Sequence, residues 1–163
     1  MKIVVSDTSP ISNLFQIGEI ELLPKLYGSV VIPPEVYTEL MVLARFGFDL
    51  SLLESVEWLE VKACKDTDRS AELSVDLDRG EAQAIVLATE VGADLVLMDE
   101  EKGRAIARQL GLNVTGLLGV LLDAKRNQLI PLIEPLIQKL QANDFYLSEK
   151  LIELVLKQAG ERS

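Results

Sequence analysis

The sequence of 163 residues contains no histidine, a single cysteine and few aromatic side chains. Without histidine, serine–histidine and cysteine–histidine catalysis, histidine general bases and nearly every type of zinc site are excluded. The one cysteine, Cys64, cannot form an internal disulfide. Any catalysis must therefore depend on carboxylates, lysines or hydroxyl groups.

Long hydrophobic runs are also missing. Apolar runs such as residues 117–122 and 95–98 are far shorter than the roughly 20 residues that span a bilayer. The N-terminus lacks the charged start, apolar stretch and small-residue cleavage site of an export signal. A hydrophobic content of 48% is nevertheless enough for a buried core. We therefore expect one cytoplasmic domain over residues 1–163, with no membrane association.

Positive charge is scarce, since 16 basic residues face 26 acidic ones and the formal net charge is −10. Such a protein is poorly suited to bind nucleic acid, because contacts to phosphate supply most of the affinity and need a basic surface. Divalent cations held by several carboxylates would offset part of this acidity and reverse the local field. The charge therefore argues against nucleic-acid binding unless some of the acids form a metal site.

Strand and helix patterns alternate along most of the chain. Such alternation is typical of a parallel sheet covered by helices. We predict a three-layer α/β fold, with a central, mostly parallel sheet flanked by helices and a helical C-terminal end. The predicted strands are 2–6, 30–32, 56–63, 95–98 and 112–114. The predicted helices are 20–26, 34–44, 66–74, 78–90, 101–110, 117–126, 131–141 and one opened at 148 and closed at 160, with another helix after residue 10 and an irregular stretch near 46–50.

Two aspartates, Asp7 and Asp99, follow directly after predicted strands. In open parallel sheets, functional groups gather at the carboxyl ends of the strands, where loops and helix starts meet in one crevice. The sequence DTSP around Asp7 also suits a helix cap or a turn, and Asp99, followed by Glu100 and Glu101, has the same ambiguity. Each aspartate is therefore either a site residue or a structural cap.

Two glutamates are predicted on the buried sides of helices. Glu39 lies at the margin of the apolar stripe of its helix, and Glu81 shares a face with Ile85 and Ala88. A buried carboxylate needs a partner. The ordinary alternative for Glu39 is a boundary residue paired with a basic side chain, and for Glu81 it is a capping box with Asp78.

Carboxylates gathered at strand ends and helix starts can hold one or two hard divalent cations. Such ions activate water and clamp phosphate oxygens, which allows phosphodiester hydrolysis without histidine. Basic residues on the helix after Asp99 can contact RNA phosphates, although a solvated face paired with Glu100 and Glu101 is the more ordinary reading. The candidate ligands are Asp7, Glu39, Glu81 and Asp99, and the candidate RNA contacts are Lys102, Arg104 and Arg108.

Several segments together resemble the PIN-domain superfamily of nucleases. They are VVSDTSPISNL, PPEVYTEL, LDRGEAQAIVLATEVGADLVLMDEEKGRAIARQLGLNVTGLLGVLL and the tail LSEKLIELVLKQAGE. The resemblance covers nearly the whole chain in order and spacing, and the combination is far more specific than any one segment. It is similar to a poorly characterised prokaryotic branch related to toxin–antitoxin ribonucleases. The resemblance implies a PIN-like fold, a ribonuclease that needs Mg²⁺ or Mn²⁺, a homodimer, and inhibition by a small antitoxin protein.

The resemblance also assigns roles to single residues. Thr8 or Ser9 would orient a ligand water. The family pattern has a further acid or polar residue shortly after the last aspartate, and Glu100, Glu101 or neither fills that place here. The residues that match the four acids of the family are Asp7, Glu39, Glu81 and Asp99.

Three other interpretations compete with a nuclease. A response-regulator receiver is disfavoured because Asp99 comes too late for a phosphoacceptor and no strand-end lysine follows it. A haloacid-dehalogenase-like phosphatase is disfavoured because Ser9 occupies the place of its second aspartate. The serious alternative is a catalytically inert PIN-like module for dimerisation or partner binding, with its acids as caps and surface charge. Metal binding separates that module from a nuclease.

Overall fold

A computed structural model describes residues 2–45 and 56–163, so the irregular stretch expected near 46–50 lies outside the described residues. Five short strands form one sheet in the order β3-β2-β1-β4-β5, and every pairing between them is parallel. The expectation of a mostly parallel sheet is therefore confirmed. The strands are β1 Val4–Ser6, β2 Val30–Ile32, β3 Leu59–Val61, β4 Leu95–Leu97 and β5 Val114–Thr115.

The helices follow the strands and cover both faces of the sheet. Pro34 opens α3 at its first position, where a missing N–H costs nothing. Asp78 caps the start of α5, and Gly92 ends it with a left-handed φ of 63°. In the described residues the helices are α1 Thr8–Gln16, α2 Leu22–Tyr27, α3 Pro34–Ala44, α4 Thr67–Leu73, α5 Arg79–Val91, α6 Glu101–Gln109, α7 Leu117–Arg126, α8 Glu134–Ala142 and α9 Glu149–Gln158.

Some predicted boundaries are wrong. The helix expected at 131–141 begins at Glu134, and the strand expected at 112–114 is Val114–Thr115. The strand expected at 56–63 is only Leu59–Val61, because pairing with β2 extends over those three residues. The bounds expected for α3 and α7 are correct to the residue.

The core lies in two layers, one on each face of the sheet. Val4 packs into a large cluster with side chains of α1, α2, α3, α7, α8 and α9, whereas its neighbour Val5 packs into a second cluster with α5 and α6. Leu97 and Val96 of β4 divide between the two clusters in the same way. Successive side chains of a strand point to opposite faces, so each short strand serves both layers. The predicted three-layer arrangement is confirmed.

The sheet has its topological switch point between β1 and β4. From β1 the chain continues to β2 and β3 on one side, then returns to β4 and β5 on the other. At the carboxyl ends, the Asp7 N–H donates to the Leu97 carbonyl at 2.9 Å. Ligands of open α/β sheets bind in the crevice outside this point. Asp7 and Asp99 follow the two strands that border it.

A buried glutamate near the C-terminus fixes the last helices. Glu161 accepts hydrogen bonds from the N–H groups of Ile133, at 2.7 Å, and Glu134, at 3.0 Å. Its carboxylate also pairs with the Lys125 ammonium at 3.0 Å. Glu161 therefore caps the start of α8 from a distance in sequence and ties it to the end of α7. Within the described parts of the chain, no helix combines the length and apolarity that crossing a membrane would need.

Candidate active site

Asp7 lies at the crevice between β1 and β4, immediately after β1. It occupies the N-cap position of α1, but its side chain makes no capping hydrogen bond. The residue is only 5% exposed, and its buried Oδ1 has no hydrogen-bond partner. Burial, together with the negative charges of Asp78, Glu81 and Glu39, raises the pKa of Asp7 to about 8. Helix capping therefore does not account for this carboxylate.

Glu81 projects from the first turn of α5 and is 6% exposed. The cap of this helix is Asp78, whose Oδ1 accepts from the Glu81 N–H at 2.8 Å. The Glu81 carboxylate has its own Oε2 buried without a partner. Burial, together with a side-chain hydrogen bond to Asp78 and the negative charge of Asp78, raises the pKa of Glu81 to about 7. Asp78 therefore supplies the cap that was the alternative role for this pair, and the buried Oε2 of Glu81 remains without a partner.

Glu39 reaches the same region from α3. The Thr8 hydroxyl donates a hydrogen bond to Glu39 Oε2. A Cβ atom added at Gly80 would lie 2.6 Å from Glu39 Oε1, so the absence of a side chain at Gly80 lets this carboxylate rest against the start of α5. Burial raises the pKa of Glu39, and the Thr8 hydrogen bond opposes that shift. We call Asp7, Glu39, Asp78 and Glu81 the acidic cluster.

Asp99 differs from these acids because both of its oxygens have partners. Oδ2 accepts from the Ser9 hydroxyl at 2.8 Å, and Oδ1 accepts from the Leu117 N–H at 2.8 Å. The Asn13 side-chain amide donates to Ser9 Oγ at 2.9 Å. Burial raises the pKa of Asp99, although the hydrogen bonds and the positive charge of Arg104 act in the opposite direction. Asp99 therefore anchors the start of α7 beside the acidic cluster.

Two neighbours of the predicted site had a weaker signal in the sequence. Asp78 was expected only as a cap, yet its charge raises the pKa of Asp7, Glu39 and Glu81. Its position three residues before Glu81, at the start of the same helix, is the sequence signal that places Asp78 near the site. Asn13, one turn after Ser9, had no expected role. The Glu100 side chain is exposed and adds negative charge near Glu81.

The three basic residues predicted to meet RNA have different surroundings. Lys102 lies 4.0 Å from Asp76, and Arg108 lies 3.5 Å from Glu101, with all four side chains at the surface. Arg104 is half-buried, and its buried Nε has no hydrogen-bond partner. Arg104 lines a cavity together with Asp99, and its positive charge lowers the pKa of Asp99.

The donors of this site fit a hard divalent cation. In the described ranges, no three acidic, histidine or cysteine side chains stand close enough, as they lie, to bind one ion directly. Two buried carboxylate oxygens nevertheless lack partners, and burial, with the negative charge of Asp78, raises the pKa of both groups. Mg²⁺ usually keeps several waters and takes only one or two carboxylates. The site is therefore suited to an ion that is held partly through water.

The comparison with known proteins identifies one family. A family model described as a PIN domain matches residues 3–161. The matched range includes every strand of the sheet and all the acids of the site. No curated protein matches the chain.

Proposed function

Because this chain belongs to the PIN-domain family, whose fold is of the nuclease type, we propose that it is a metal-dependent ribonuclease that hydrolyses RNA phosphodiester bonds. The observation that carries the proposal is a pair of buried carboxylate oxygens without partners, Asp7 Oδ1 and Glu81 Oε2. Burying an unpaired carboxylate is costly, and strongly raised pKa values concentrate at functional sites. Both residues also lie beside the switch point, where open α/β sheets bind their ligands.

Mg²⁺ or Mn²⁺ is the proposed cofactor. Asp7, Glu39 and Glu81 would hold it directly or through water, and Asp99, whose oxygens already accept hydrogen bonds, would do so through water. When bound, such an ion neutralises phosphate oxygens and lowers the pKa of water.

Other side chains position these acids. The Thr8 hydroxyl fixes the Glu39 carboxylate, and the Ser9 hydroxyl, held by Asn13, fixes Asp99. Glu100 adds negative charge at the edge of the site and is a supporting residue. Of the three basic residues that the sequence offered, we propose Arg104 as the RNA contact. Lys102 and Arg108 lie beside exposed acids and belong at most to an outer rim of the RNA-binding surface. Each of these roles can be tested by substituting the side chain that forms the contact.

We also propose that the enzyme is the toxin-like component of a toxin–antitoxin pair, works as a homodimer and is inhibited by a small antitoxin protein. The support is the resemblance to the prokaryotic PIN branch. Light scattering coupled to gel filtration tests the oligomer and is expected to give the mass of two chains. A mass of one chain at micromolar concentration would remove the homodimer from the proposal.

The test of the proposed activity is cleavage of single-stranded RNA in Mn²⁺ by the wild type, Asp7→Asn and Asp144→Asn. Asp144 is an exposed aspartate with a φ of 66°, a conformation that asparagine also tolerates, so Asp144→Asn is matched in charge. We expect Asp7→Asn to lose cleavage and Asp144→Asn to keep it. Equal cleavage by all three would point to a contaminating nuclease. No cleavage and no metal binding by the wild type would favour the catalytically inert interaction module.

A further inference from the structure

A cavity of about 280 Å³ opens beside Asp99, outside the acidic cluster. Its polar end is formed by Asp99 and Arg104. Its apolar wall comes from α7 and α9, with Leu118 and Leu151 among the lining residues, and Tyr146 lies at its rim. The cavity therefore places a cation and an apolar surface side by side.

The cation at the polar end lacks full compensation. Arg104 Nε is buried without a hydrogen-bond partner, and in the described parts of the chain the Arg104 guanidinium forms no salt bridge. The nearby Asp99 directs its two oxygens to the Ser9 hydroxyl and the Leu117 N–H instead. Buried polar atoms in proteins nearly always have partners. An anion in the cavity would compensate the charge of the guanidinium, and arginine suits phosphate well.

The aromatic rim points to what accompanies that anion. Tyr146 is 87% exposed, although its ring is a large apolar surface. Phe145 beside it is half-buried and also lines the cavity. Exposed aromatic rings next to a cation are typical of surfaces on which the bases of single-stranded nucleic acid stack. The cavity lies near the lower end of the roughly 300–1,000 Å³ range of small-ligand pockets, which suits one nucleotide better than a folded peptide.

We propose that this cavity binds one nucleotide of the RNA substrate, with its phosphate on Arg104 and its base against Tyr146. The inference rests on the proposed function and assigns the place beside Asp99 where one nucleotide of the substrate would be held. A base enters such a cavity only when it is unstacked.

The experiment titrates the metal-free protein with nucleoside 5′-monophosphates and with ribose 5-phosphate, followed by amide chemical shifts. The expected shifts centre on Gly116 and Gly119, which adjoin or line the cavity. The nucleotides should bind roughly tenfold more tightly than ribose 5-phosphate, because a stacked base contributes about that factor. Tyr146→Ala should remove this advantage, and Arg104→Gln should weaken both ligands.

Matched controls separate these effects from general loss of charge or apolar surface. Arg126→Gln removes one cation that pairs with Asp123 at the end of α7, and Leu154→Ala trims an exposed leucine of α9 outside the cavity. Both should bind nucleotides like the wild type. Thermal melts of every variant test whether the fold is kept, and the 87% exposure of Tyr146 means that its side chain contributes little to the folded core.

Three results would overturn the inference. Equal binding of ribose 5-phosphate would leave only an anion site. Nucleotide binding that survives Tyr146→Ala and Arg104→Gln would place the ligand elsewhere. Binding of an acidic amphipathic peptide in place of any nucleotide would make the cavity a protein-docking surface.

The failure of the cavity assignment can be distinguished from the failure of the proposed nuclease activity. If nucleotides bind as expected but the wild type cleaves no RNA, the cavity assignment holds and the nuclease proposal fails. If RNA is cleaved and no nucleotide binds, only the cavity assignment fails.

Discussion

At the scale of single residues, Asp7 and Asp99 occupy equivalent positions and have different surroundings. Each follows a central strand at the switch point. Asp99 accepts two hydrogen bonds, whereas Asp7 has a buried oxygen without any. The sequence shows where both aspartates lie along their strands, but the difference comes from Ser9 and Leu117, which only the folded chain brings to Asp99. Residue type and strand position therefore predict the location of a site and not the role of each acid.

Asp7→Asn should leave the melting temperature of the metal-free protein unchanged or raised. The substitution removes a carboxyl group whose ionised form is disfavoured first by burial and then by the negative charges of Asp78, Glu81 and Glu39. For a domain of this size, each kcal/mol changes the melting temperature by about 2–4 °C. Calorimetry with chelator present measures the shift, with Asp144→Asn as the control. A large fall specific to Asp7→Asn would make Asp7 a structural residue.

The same buried acids predict how stability depends on pH. The pKa of Asp7 is raised from 3.8 to about 8, so between those values the folded protein keeps a proton that the unfolded chain releases. The free energy of unfolding of the metal-free protein should therefore fall as the pH rises from about 4 to 8. Glu81 acts in the same direction between 4.5 and about 7.

Urea unfolding in chelator at pH 5 and pH 8 measures this dependence. Asp7→Asn should show a smaller fall than the wild type, because one of the raised carboxyl groups is gone. Saturating Mn²⁺ should reduce the fall in the wild type, since metal ligands must be deprotonated and binding favours the charged form. Identical pH profiles for the two proteins would show that Asp7 is not the titrating group.

At the scale of helices and strands, the sequence predicts the bounds of an element correctly where neighbouring residues determine them. Pro34 at the first position fixed the start of α3, and the apolar run after Gly116 fixed the start of α7. The sequence predicts a start of α8 that is three residues too early, because the residue that caps this helix, Glu161, lies far along the chain. The bounds of β5 depend on pairing with β4, which a single strand does not reveal.

Gly80→Ala should separate the geometry of the site from the stability of α5. A Cβ atom at this position would lie 2.6 Å from Glu39 Oε1, so the carboxylate must move away. Alanine favours a helix over glycine by up to roughly 1 kcal/mol, the value for a helix interior, and Gly80 is the second residue of α5. We therefore expect weaker Mn²⁺ binding and slower cleavage at equal or higher melting temperature, with Glu39→Gln as the reference for loss of that ligand. Unchanged Mn²⁺ binding in Gly80→Ala would contradict a role for Glu39.

Glu161→Ala should destabilise the C-terminal helices without altering the site. It removes the cap of α8 and leaves Lys125 without its carboxylate. Hydrogen bonds to charged groups contribute about 1.5–3 kcal/mol each, so a loss of roughly 2–4 kcal/mol is expected. Urea denaturation measures it against Glu72→Ala, which removes an exposed acid of α4. A loss no larger than that of Glu72→Ala would show that Glu161 does not hold α8.

At the scale of the whole molecule, a net charge of −10 and an RNA substrate are compatible only if the acids are locally compensated. Two of the cluster acids, Asp7 and Glu81, are among the few buried charged groups of the described chain. A bound divalent cation would turn this region from repelling to attracting phosphate. Arg104 lies beside it as an inward-facing cation. Part of the negative net charge therefore comes from acidic residues of the proposed metal site, and the rest comes from the surface.

The most direct test of this account is calorimetric titration of the chelator-treated protein with Mn²⁺. The wild type and Asp144→Asn should bind the ion, whereas Asp7→Asn should lose binding. Asp99→Asn should weaken binding strongly, because Asp99 is the proposed ligand that follows the second strand at the switch point. Excess Mn²⁺ at about 100 times the dissociation constant should stabilise the wild type by roughly 2.7 kcal/mol. Absence of binding to the wild type, or equal binding to all four proteins, would contradict the carboxylate metal site.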